Sequence, residues 1–559
     1  MNNAKFRKTL LAKLIITFEE SGLPPADGVL ALSTAMLKYN NIISSDWAAR
    51  RRNRLEKMLA AWLAESNNNN ILNNLFNDFE LPGQDDDLIG LFYQSVQGIS
   101  TKASLGAYYT PPELLRNITV PAGKTVCDPC CGSGGILLKI LDKTHDPAKI
   151  FAGDIDEVAL KICAVNLSLF FNSGDIEPNI IKKDIVFMDS GPYSGAEKYD
   201  YIVTNPPWGS KLTRNQKAEI VSRYPELETS ETFSIVLNNC LDMVAEQGNL
   251  YFFLPYAFLN VAAHRKIRQK LLSLKGRMSL RLLGNPFRGV MSESVLLHFS
   301  VTDDITDTVF VTGKDGASYS IGKKTINAPH FIIGATAKNA DTVILNKIFT
   351  VPFSLLKGRA AFALGIVTGN NRNVLLKEKT PGSEAVYRGR DIVPYRFSGP
   401  EYYIDFTPEK LQQAAPDALY RQKKVVYRFI CRRLICAVDN KQSLLLNSAN
   451  LFIPHNYPME TIVCLFNSPV YSFVFQKMFH SRKILRSHLE ELPLPALSEA
   501  QHRKLFNIHQ RLAGAAMDYR EGQGEIDSFL TGLFDIDNNE YNAILDLFNA
   551  PAGSGPLAR

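Results

Sequence analysis

Thr125-Val126-Cys127-Asp128-Pro129-Cys130-Cys131-Gly132-Ser133-Gly134-Gly135 is the stretch on which the fold turns. Residues 125–127 read as a short strand, and residues 135–141 as a helix. The glycines between them let the backbone approach a ligand closely, and the helix start offers N–H groups with no partner in the helix. A tight strand-to-helix turn needs glycine in any case, so the turn alone is a weak signal. No Gly-Lys-Ser/Thr follows, which excludes a P-loop. The next strand begins at residues 150–152 and runs into Gly153-Asp154-Ile155-Asp156. That places an acid about twenty residues beyond the glycines, where a carboxylate accepts both ribose hydroxyls of a nucleoside. The combination implies an adenosine-type cofactor and leaves both NAD and S-adenosylmethionine open.

Outward from this turn the alternation continues. Residues 157–170 and 233–244 have helical periodicity, and residues 201–204 and 249–254 read as apolar strands. Such βαβ alternation predicts a mostly parallel sheet with helices on both faces, an α/β domain. Ligands of these sheets bind at the carboxyl ends of the strands. Residues 1–100 look helical, with Leu10, Leu11, Leu14, Ile15 and Phe18 on one stripe and Leu55, Met58, Leu59, Trp62 and Leu63 on another. Residues 67–70 and 85–87 read as loops, and no chemistry is evident in this region. Beyond about residue 340 the alternation dissolves into short runs with turns such as Gly369-Asn370-Asn371 and Gly389-Arg390-Asp391, the mark of an α+β domain. The last sixty residues return to helical periodicity and end in a Gly/Ser/Pro tail at 551–556. Four segments follow: 1–100, 101–339, 340–500 and 501–559.

With 45% hydrophobic and 21% charged residues, the chain is neither disordered nor collagen-like. The longest apolar run, 250–263, is broken by Pro255 and Asn260, which argues against a membrane span. Lys5, Arg7 and Lys8 precede an apolar run, but Lys13 interrupts it and Glu19 and Glu20 follow, so the start reads as an amphipathic helix of an intracellular protein. The eight cysteines lack the spacing of a disulfide framework. Cys127, Cys130 and Cys131 look like half a zinc site with no second half, so no metal is expected. Net charge is +6, unevenly spread: residues 353–493 hold 20 Lys or Arg against 11 Asp or Glu. A basic segment implies a polyanionic partner, although charge alone does not separate that from a solvated face.

A second site lies after the strand at 201–204: Asn205-Pro206-Pro207-Trp208. Two prolines there serve as a rigid stop on one reading. The other reading is chemical. An exocyclic amine on an aromatic ring is a poor nucleophile, because its lone pair is delocalised into the ring. Two acceptors holding its two hydrogens draw the nitrogen towards tetrahedral geometry and free that pair. The Asn205 side-chain oxygen and the Pro206 carbonyl are suited to be those acceptors. Pro207 stiffens the backbone, and Trp208 supplies a face for a flat base. No charged general base is required when the methyl donor is a sulfonium.

These motifs resemble the gamma class of N6-adenine DNA methyltransferases, in which cofactor motifs precede the catalytic motif and a target recognition domain comes last. The resemblance covers about residues 90–500. Gly106-Ala107-Tyr108-Tyr109-Thr110-Pro111 looks like the first cofactor motif, with Tyr109 and Thr110 against the methionine end. The turn from Asp128 through Gly132 to Gly134 looks like the glycine motif. Asp154 stands at the ribose position, and Asp184 where an acid meets the cofactor's adenine amine. Asn205-Pro206-Pro207-Trp208 looks like the catalytic motif, with Trp in place of the commoner Tyr or Phe. Asn285-Pro286-Phe287-Arg288-Gly289-Val290 looks like the motif whose aromatic packs against the target base, and Phe287 also reads as a core aromatic.

The resemblance implies a Rossmann-like methyltransferase domain over 101–339, an accessory helical region before it, a DNA target recognition domain over 340–500, and a helical segment over 501–559. Its cofactor would be S-adenosyl-L-methionine and its substrate adenine N6 in duplex DNA, reached by base flipping. Segments at 365–371, 387–392 and 489–495 match such recognition domains. Arg372, Arg388, Arg390, Arg432, Arg482 and Lys483 are candidates for DNA contacts, alongside Lys357, Arg359, Arg428, Arg433 and Arg486. Cytosine N4 methylation would favour Ser, Thr or Asp at 205, so Asn205 argues for adenine. Methyltransferases of protein glutamine or of guanine in ribosomal RNA share the catalytic motif, but the basic segment speaks against them. An inactive DNA-binding subunit is a third reading, opposed by the intact Asn205-Pro206-Pro207 and Asp154. The first hundred residues show no Asp…Glu-x-Lys nuclease arrangement, so a restriction endonuclease or defence-system subunit is expected as a separate chain. The expected location is cytoplasmic, on the nucleoid.

Overall fold

The computed structural model describes residues 3–66, 72, 74–81, 87–97, 109–187, 198–209, 212–287, 292–323, 326, 331–337 and 339–549. Expectations for residues 67–70, 85–86, 106–108, 288–290 and 551–556 lie outside these. The chain forms two compact units, Met1–Phe258 with Ala263–Lys324, and Leu259–Ala262 with Thr325–Arg559.

The first unit is built on nine strands: β1 (Val126–Asp128), β2 (Ile150–Asp154), β3 (Asn179–Lys182), β4 (Tyr199–Thr204), β5 (Val244–Pro255), β6 (Gly276–Gly284), β7 (Ser294–Ser300), β8 (Ile305–Thr312) and β9 (Ser318–Gly322). They lie in the order β3-β2-β1-β4-β5-β7-β6-β8-β9. The five strands from β3 to β5 are mutually parallel, and β7 inserts antiparallel between β5 and β6. β1 is buried throughout and β2 nearly so, as parallel strands covered on both faces must be. The strand order reverses between β1 and β4, which opens a crevice beyond their carboxyl ends.

The helix expected over 135–141 is a single turn, Leu137–Ile140. Positive φ at Gly132 and Gly134 keeps the preceding residues out of helical geometry, so the turn consumes what would have been the first helical residues. The helix Glu157–Phe171 follows β2 and is capped by Asp156, whose carboxylate accepts from the Val158 and Ala159 N–H groups. It is buried on nearly all sides. Its Ile162, Val165 and Leu169 share one core with Leu10, Leu14 and Phe18 of helix Asn3–Ser21 and with Leu55, Leu59, Trp62 and Leu63 of helix Arg54–Ala64. The two apolar stripes legible in the first hundred residues are therefore what packs the helical region onto this helix.

The second unit is α+β. Strands Ala360–Ala363, Ala449–Pro454, Lys424–Arg428 and Cys436–Asp439 form an antiparallel sheet. Val425, Tyr427 and Phe452 of that sheet share a core with helices Met459–Asn467 and Pro469–Phe479 and with the C-terminal helices Glu499–Ala513 and Tyr519–Phe534. A second four-stranded sheet, containing Glu384–Tyr387 and Tyr402–Ile404, has its own smaller core around Val386, Ile404 and Tyr420. Among the described residues no helix is long and apolar enough to cross a membrane.

Candidate active site

β1 delivers Asp128 to the base of the glycine turn, where it is fully buried. Its carboxylate accepts from the Cys130 N–H at 3.2 Å and lies against Thr204, the last residue of β4. Burial pushes this carboxyl up to about 7, while Thr204 and the Cys130 N–H pull it back. The turn above is tied down by its own backbone. The Cys131 N–H donates to the Gly153 carbonyl at 2.9 Å and the Gly134 N–H to the Cys131 carbonyl at 2.8 Å.

Two of the glycines are needed for different reasons. At Gly134 (φ +83°) a Cβ would stand 2.8 Å from Cys163 Sγ, so helix Glu157–Phe171 leaves no room for it. At Gly132 (φ +50°) a Cβ would meet nothing within 4 Å; it would project into an open cavity. Of these two, only Gly132 shapes a ligand space.

That cavity, of about 350 Å³, lies at the carboxyl ends of β1, β2 and β4, within the size range of small-molecule sites. Tyr109, Thr110, Gly132, Asp154, Asp184 and Asn205 line it together, as does Pro207. Asp154 ends β2. Its carboxylate accepts from the Gly132 N–H at 2.8 Å and the Asp156 N–H at 3.0 Å, while burial raises its pKa. Asp184 is exposed, and its carboxylate caps the turn after β3 by accepting from the Val186 N–H at 2.9 Å. Among the described residues, three carboxylates, Asp154, Asp156 and Asp184, face the cavity against one cation, Lys183. Asp128 and Gly134 form its support.

Beyond β4, the Asn205 side-chain nitrogen donates to the Thr110 hydroxyl at 3.1 Å. Pro206 is buried, and the Pro207 carbonyl accepts from the Thr232 hydroxyl at 3.2 Å at the start of helix Thr232–Met243. Trp208 is only 8% exposed and meets Phe287 edge to face, with ring centroids 5.0 Å apart. Phe287 is 3% exposed and packs in turn on Phe253 of β5 at 6.0 Å. It thus takes the position of a core aromatic that buttresses Trp208.

Part of the cavity wall comes from a region in which the sequence showed no chemistry. Helix Leu88–Val96 presents Gly90, Tyr93 and Gln94 to it. The Tyr93 hydroxyl donates to the Asp156 carboxylate at 2.9 Å. Leu88, Ile89 and Phe92 announce a helix with an apolar face, but nothing in their spacing says what the opposite face meets.

In the second unit, the candidate cations separate by environment. Arg372 and Lys483 are exposed. The Arg390 side chain is 63% exposed and pairs with Glu401 at 2.6 Å. Arg388 is held within the fold: it bonds Asp391 and Glu401, and its guanidinium lies over the Tyr402 ring at 4.7 Å. Arg432 donates to the Leu547 carbonyl at 2.7 Å. Arg482 is half-buried, and its carbonyl accepts from the Cys431 N–H at 2.8 Å. Among the described residues no group of three or more His, Cys, Asp or Glu is arranged to hold a metal ion.

A doubly covered parallel sheet with a glycine turn and an Asn-Pro-Pro-aromatic loop at its reversal point defines an α/β methyltransferase. Known proteins narrow the class. Residues 84–284 match the N-6 DNA methylase family, and residues 384–494 match the TaqI-like C-terminal specificity domain. The type II methyltransferase M.VspI of Vibrio sp. (strain 343) is 33% identical over 309 residues, covering 54% of this chain and 74% of its own. The EcoEI type I restriction enzyme methylase subunit of Escherichia coli is 28% identical over 190 residues, covering 31% of this chain and 37% of its own. In fold, the chain is similar to the type IIL restriction-modification enzyme MmeI, solved in complex with DNA (TM-score 0.63, 14% identity, 96% of this chain and 97% of that one). It is also similar to DrdV in its DNA complex (TM-score 0.57, 10% identity, 91% and 69%). The chain belongs to the N-6 DNA methylase family, the adenine-N6 DNA methyltransferases of restriction-modification systems, and carries a C-terminal specificity domain.

Proposed function

We propose that this enzyme uses S-adenosylmethionine to methylate N6 of an adenine flipped out of a specific duplex sequence. The observation that carries this reading is the Asn205 amide, whose nitrogen end is engaged by Thr110 beside the acid-lined cavity. An adenosine-type cofactor fits that cavity: the Cβ position of Gly132 is open, and Asp154 stands at the end of β2. Three carboxylates against one lysine suit a ligand bearing sulfonium and ammonium charges and oppose a pyrophosphate, which favours S-adenosylmethionine over NAD. When bound, this cofactor supplies a methyl group on a sulfonium, whose leaving group is a neutral thioether.

The chain's residues do the rest. Thr110 holds the nitrogen end of the Asn205 amide, and the amide oxygen accepts one hydrogen of the adenine amine. The Pro206 carbonyl accepts the second hydrogen. Together they raise the electron density on N6, and the proton leaves late, without a charged base. Trp208 stacks on the flipped adenine and Phe287 supports Trp208. Asp154 accepts from the ribose hydroxyls, Asp184 from the cofactor's adenine amine, and Tyr109 lies along the methionine end. Residues 101–339 act as the methyltransferase domain and 340–500 as the recognition domain. There Arg372, Arg390, Arg482 and Lys483 meet DNA, while Arg388 and Arg432 brace the loops that carry them.

The relatives that are methylase subunits support a separate restriction endonuclease or defence-system subunit as partner; the place of action is the cytoplasm, on the nucleoid. Expression in a methylation-free host, followed by modified-base sequencing, tests the whole. N6-methyladenine at one sequence motif is expected, and none with Asn205→Ala; another modified base, or none in the unaltered enzyme, refutes it.

A further inference from the structure

Asp87 precedes helix Leu88–Val96 and is 2% exposed. An N-cap needs one hydrogen bond, and Asp87 makes that one, accepting from the Gly90 N–H at 2.9 Å. It makes two more. Its second oxygen accepts from the Ser133 hydroxyl at 2.5 Å, inside the glycine turn, and the first also accepts from the Asn166 side-chain nitrogen at 2.8 Å, on helix Glu157–Phe171. Asn166 in turn donates to the Ser133 carbonyl at 2.9 Å. Ser133 is therefore held at both its hydroxyl and its backbone. The Gly90 and Asn166 N–H groups can only donate, and the Ser133 hydroxyl donates here; burial raises the Asp87 carboxyl to about 6, so near neutral pH it is ionised and accepts from all three.

The packing is close. A Cβ on Gly135 would come within 2.8 Å of the Asp87 carboxylate, and one on Gly90 within 2.3 Å of both that carboxylate and the Ser133 hydroxyl. Gly90 and Gly135 are glycine because the carboxylate and the hydroxyl occupy that space. A turn with positive φ at two glycines has much conformational freedom to lose, and what restrains it at Ser133 comes from outside the turn.

We infer that Asp87 is a positioning residue of the cofactor cavity, holding the glycine turn in its binding shape through Ser133. The helical region at the start of the chain is thereby a working wall of the site, bringing Tyr93 and Gln94 along the same face. This rests on the cavity being the S-adenosylmethionine site proposed above.

The test uses the full chain with Asp87→Asn, Ser133→Ala and the double variant. Asp87→Asn keeps a capping oxygen and the volume and replaces the charge-assisted bond to Ser133 by a weaker neutral one, while Ser133→Ala removes the bond and leaves the Asp87 cap and Asn166 untouched. Three quantities are read: hydrogen exchange of residues 131–136 in ligand-free protein, the calorimetric Kd for S-adenosylmethionine, and kcat and cofactor KM on DNA. Both single variants should speed exchange of the turn and raise Kd and cofactor KM about tenfold, the scale of one charge-assisted hydrogen bond. At saturating cofactor kcat should move far less than KM. The double variant should be no worse than Asp87→Asn, because both act through one contact. Unchanged exchange in the folded single variants would overturn the inference, and so would additive losses in the double variant. Should Asp87→Asn fail to fold, the exchange and KM shift of Ser133→Ala alone decide. If the unaltered enzyme binds no S-adenosylmethionine, the cofactor reading fails, and the exchange data still judge the contact.

Discussion

Asn205 and Thr110, 95 residues apart in the chain, meet in a hydrogen bond of 3.1 Å from the amide nitrogen to the hydroxyl. The bond joins the loop after β4 to the segment that precedes β1, with the amide nitrogen as its donor. Thr110→Val keeps the shape and removes the acceptor. Turnover should fall about fivefold, the scale of one neutral hydrogen bond near 1 kcal/mol. Asn205→Ala should abolish it, while cofactor affinity stays nearly intact. Steady-state methyl transfer with matched calorimetry reads both; a Thr110→Val enzyme as fast as the original would remove the orienting role.

Asp154 should act on affinity. Asp154→Ala loses a carboxylate held by two backbone N–H groups, and with it a charge-assisted bond of about 1.5–3 kcal/mol to the ribose. Kd for S-adenosylmethionine should rise by at least tenfold. An unaltered Kd would mean that the ribose lies elsewhere.

Trp208 and Phe287 should separate by what they disturb. Phe287→Ala empties a nearly enclosed site between Trp208 and Phe253 and should cost about 3–5 kcal/mol of stability. Trp208→Ala should cost a similar amount of stability and in addition lower kcat/KM on DNA by about ten- to a hundredfold, the scale of one base stacked on an aromatic ring. Urea denaturation and the fluorescence of 2-aminopurine at the target position measure the two effects. A base that flips equally well without Trp208 would count against stacking.

Asp128 gives the first unit a pH dependence of definite sign. Burial raises its carboxyl from 3.8 to about 7, so the folded chain keeps a proton that the unfolded chain has already lost. Over that window the folded state binds more protons, and this residue's contribution to stability falls as pH rises from about 4 to 7. Asp128→Asn cannot ionise. Its stability relative to the original should therefore improve across the window, by on the order of a few kcal/mol, and level off above it. Denaturation of ligand-free protein at a series of pH values shows this; a difference independent of pH would contradict it.

Arg388 and the exposed cations should behave oppositely. Arg388→Ala leaves the buried Asp391 carboxylate with the residue 388 backbone N–H and no counter-charge, and should cost about 2 kcal/mol of stability. Arg372→Ala and Lys483→Ala should leave stability alone. Each should flatten the dependence of DNA affinity on the logarithm of salt concentration by about one unit, as for one phosphate contact. Fluorescence anisotropy across a salt series measures this, and an unchanged slope for both would move the phosphate contacts elsewhere.

What the sequence determined by itself is local in origin. The glycine turn after β1, Asp154 at the end of β2 and Asn205-Pro206-Pro207-Trp208 after β4 each follow an apolar strand directly. A strand end fixes the place of the next few residues through backbone geometry alone, so the alternation carried both the sheet and its binding edge. The helices of the first hundred residues were legible from their stripes for the same reason, since periodicity reports which face is buried.

What only the tertiary structure decided is the use of side chains whose partners are remote. Asp87 reaches Ser133 across 46 residues and Asn166 across 79. No period or turn signal links such positions, and the sequence placed Asp87 in a loop without chemistry. Phe287 meets Trp208 of the loop after β4 and Phe253 of β5, neighbours that no spacing in the sequence links. Arg388 and Lys483 both read as cations in the sequence, yet one is neutralised by Asp391 and Glu401 while the other is exposed. Periodicity encodes burial along a single element, whereas hydrogen bonds and ion pairs between distant segments exist only once those elements have packed.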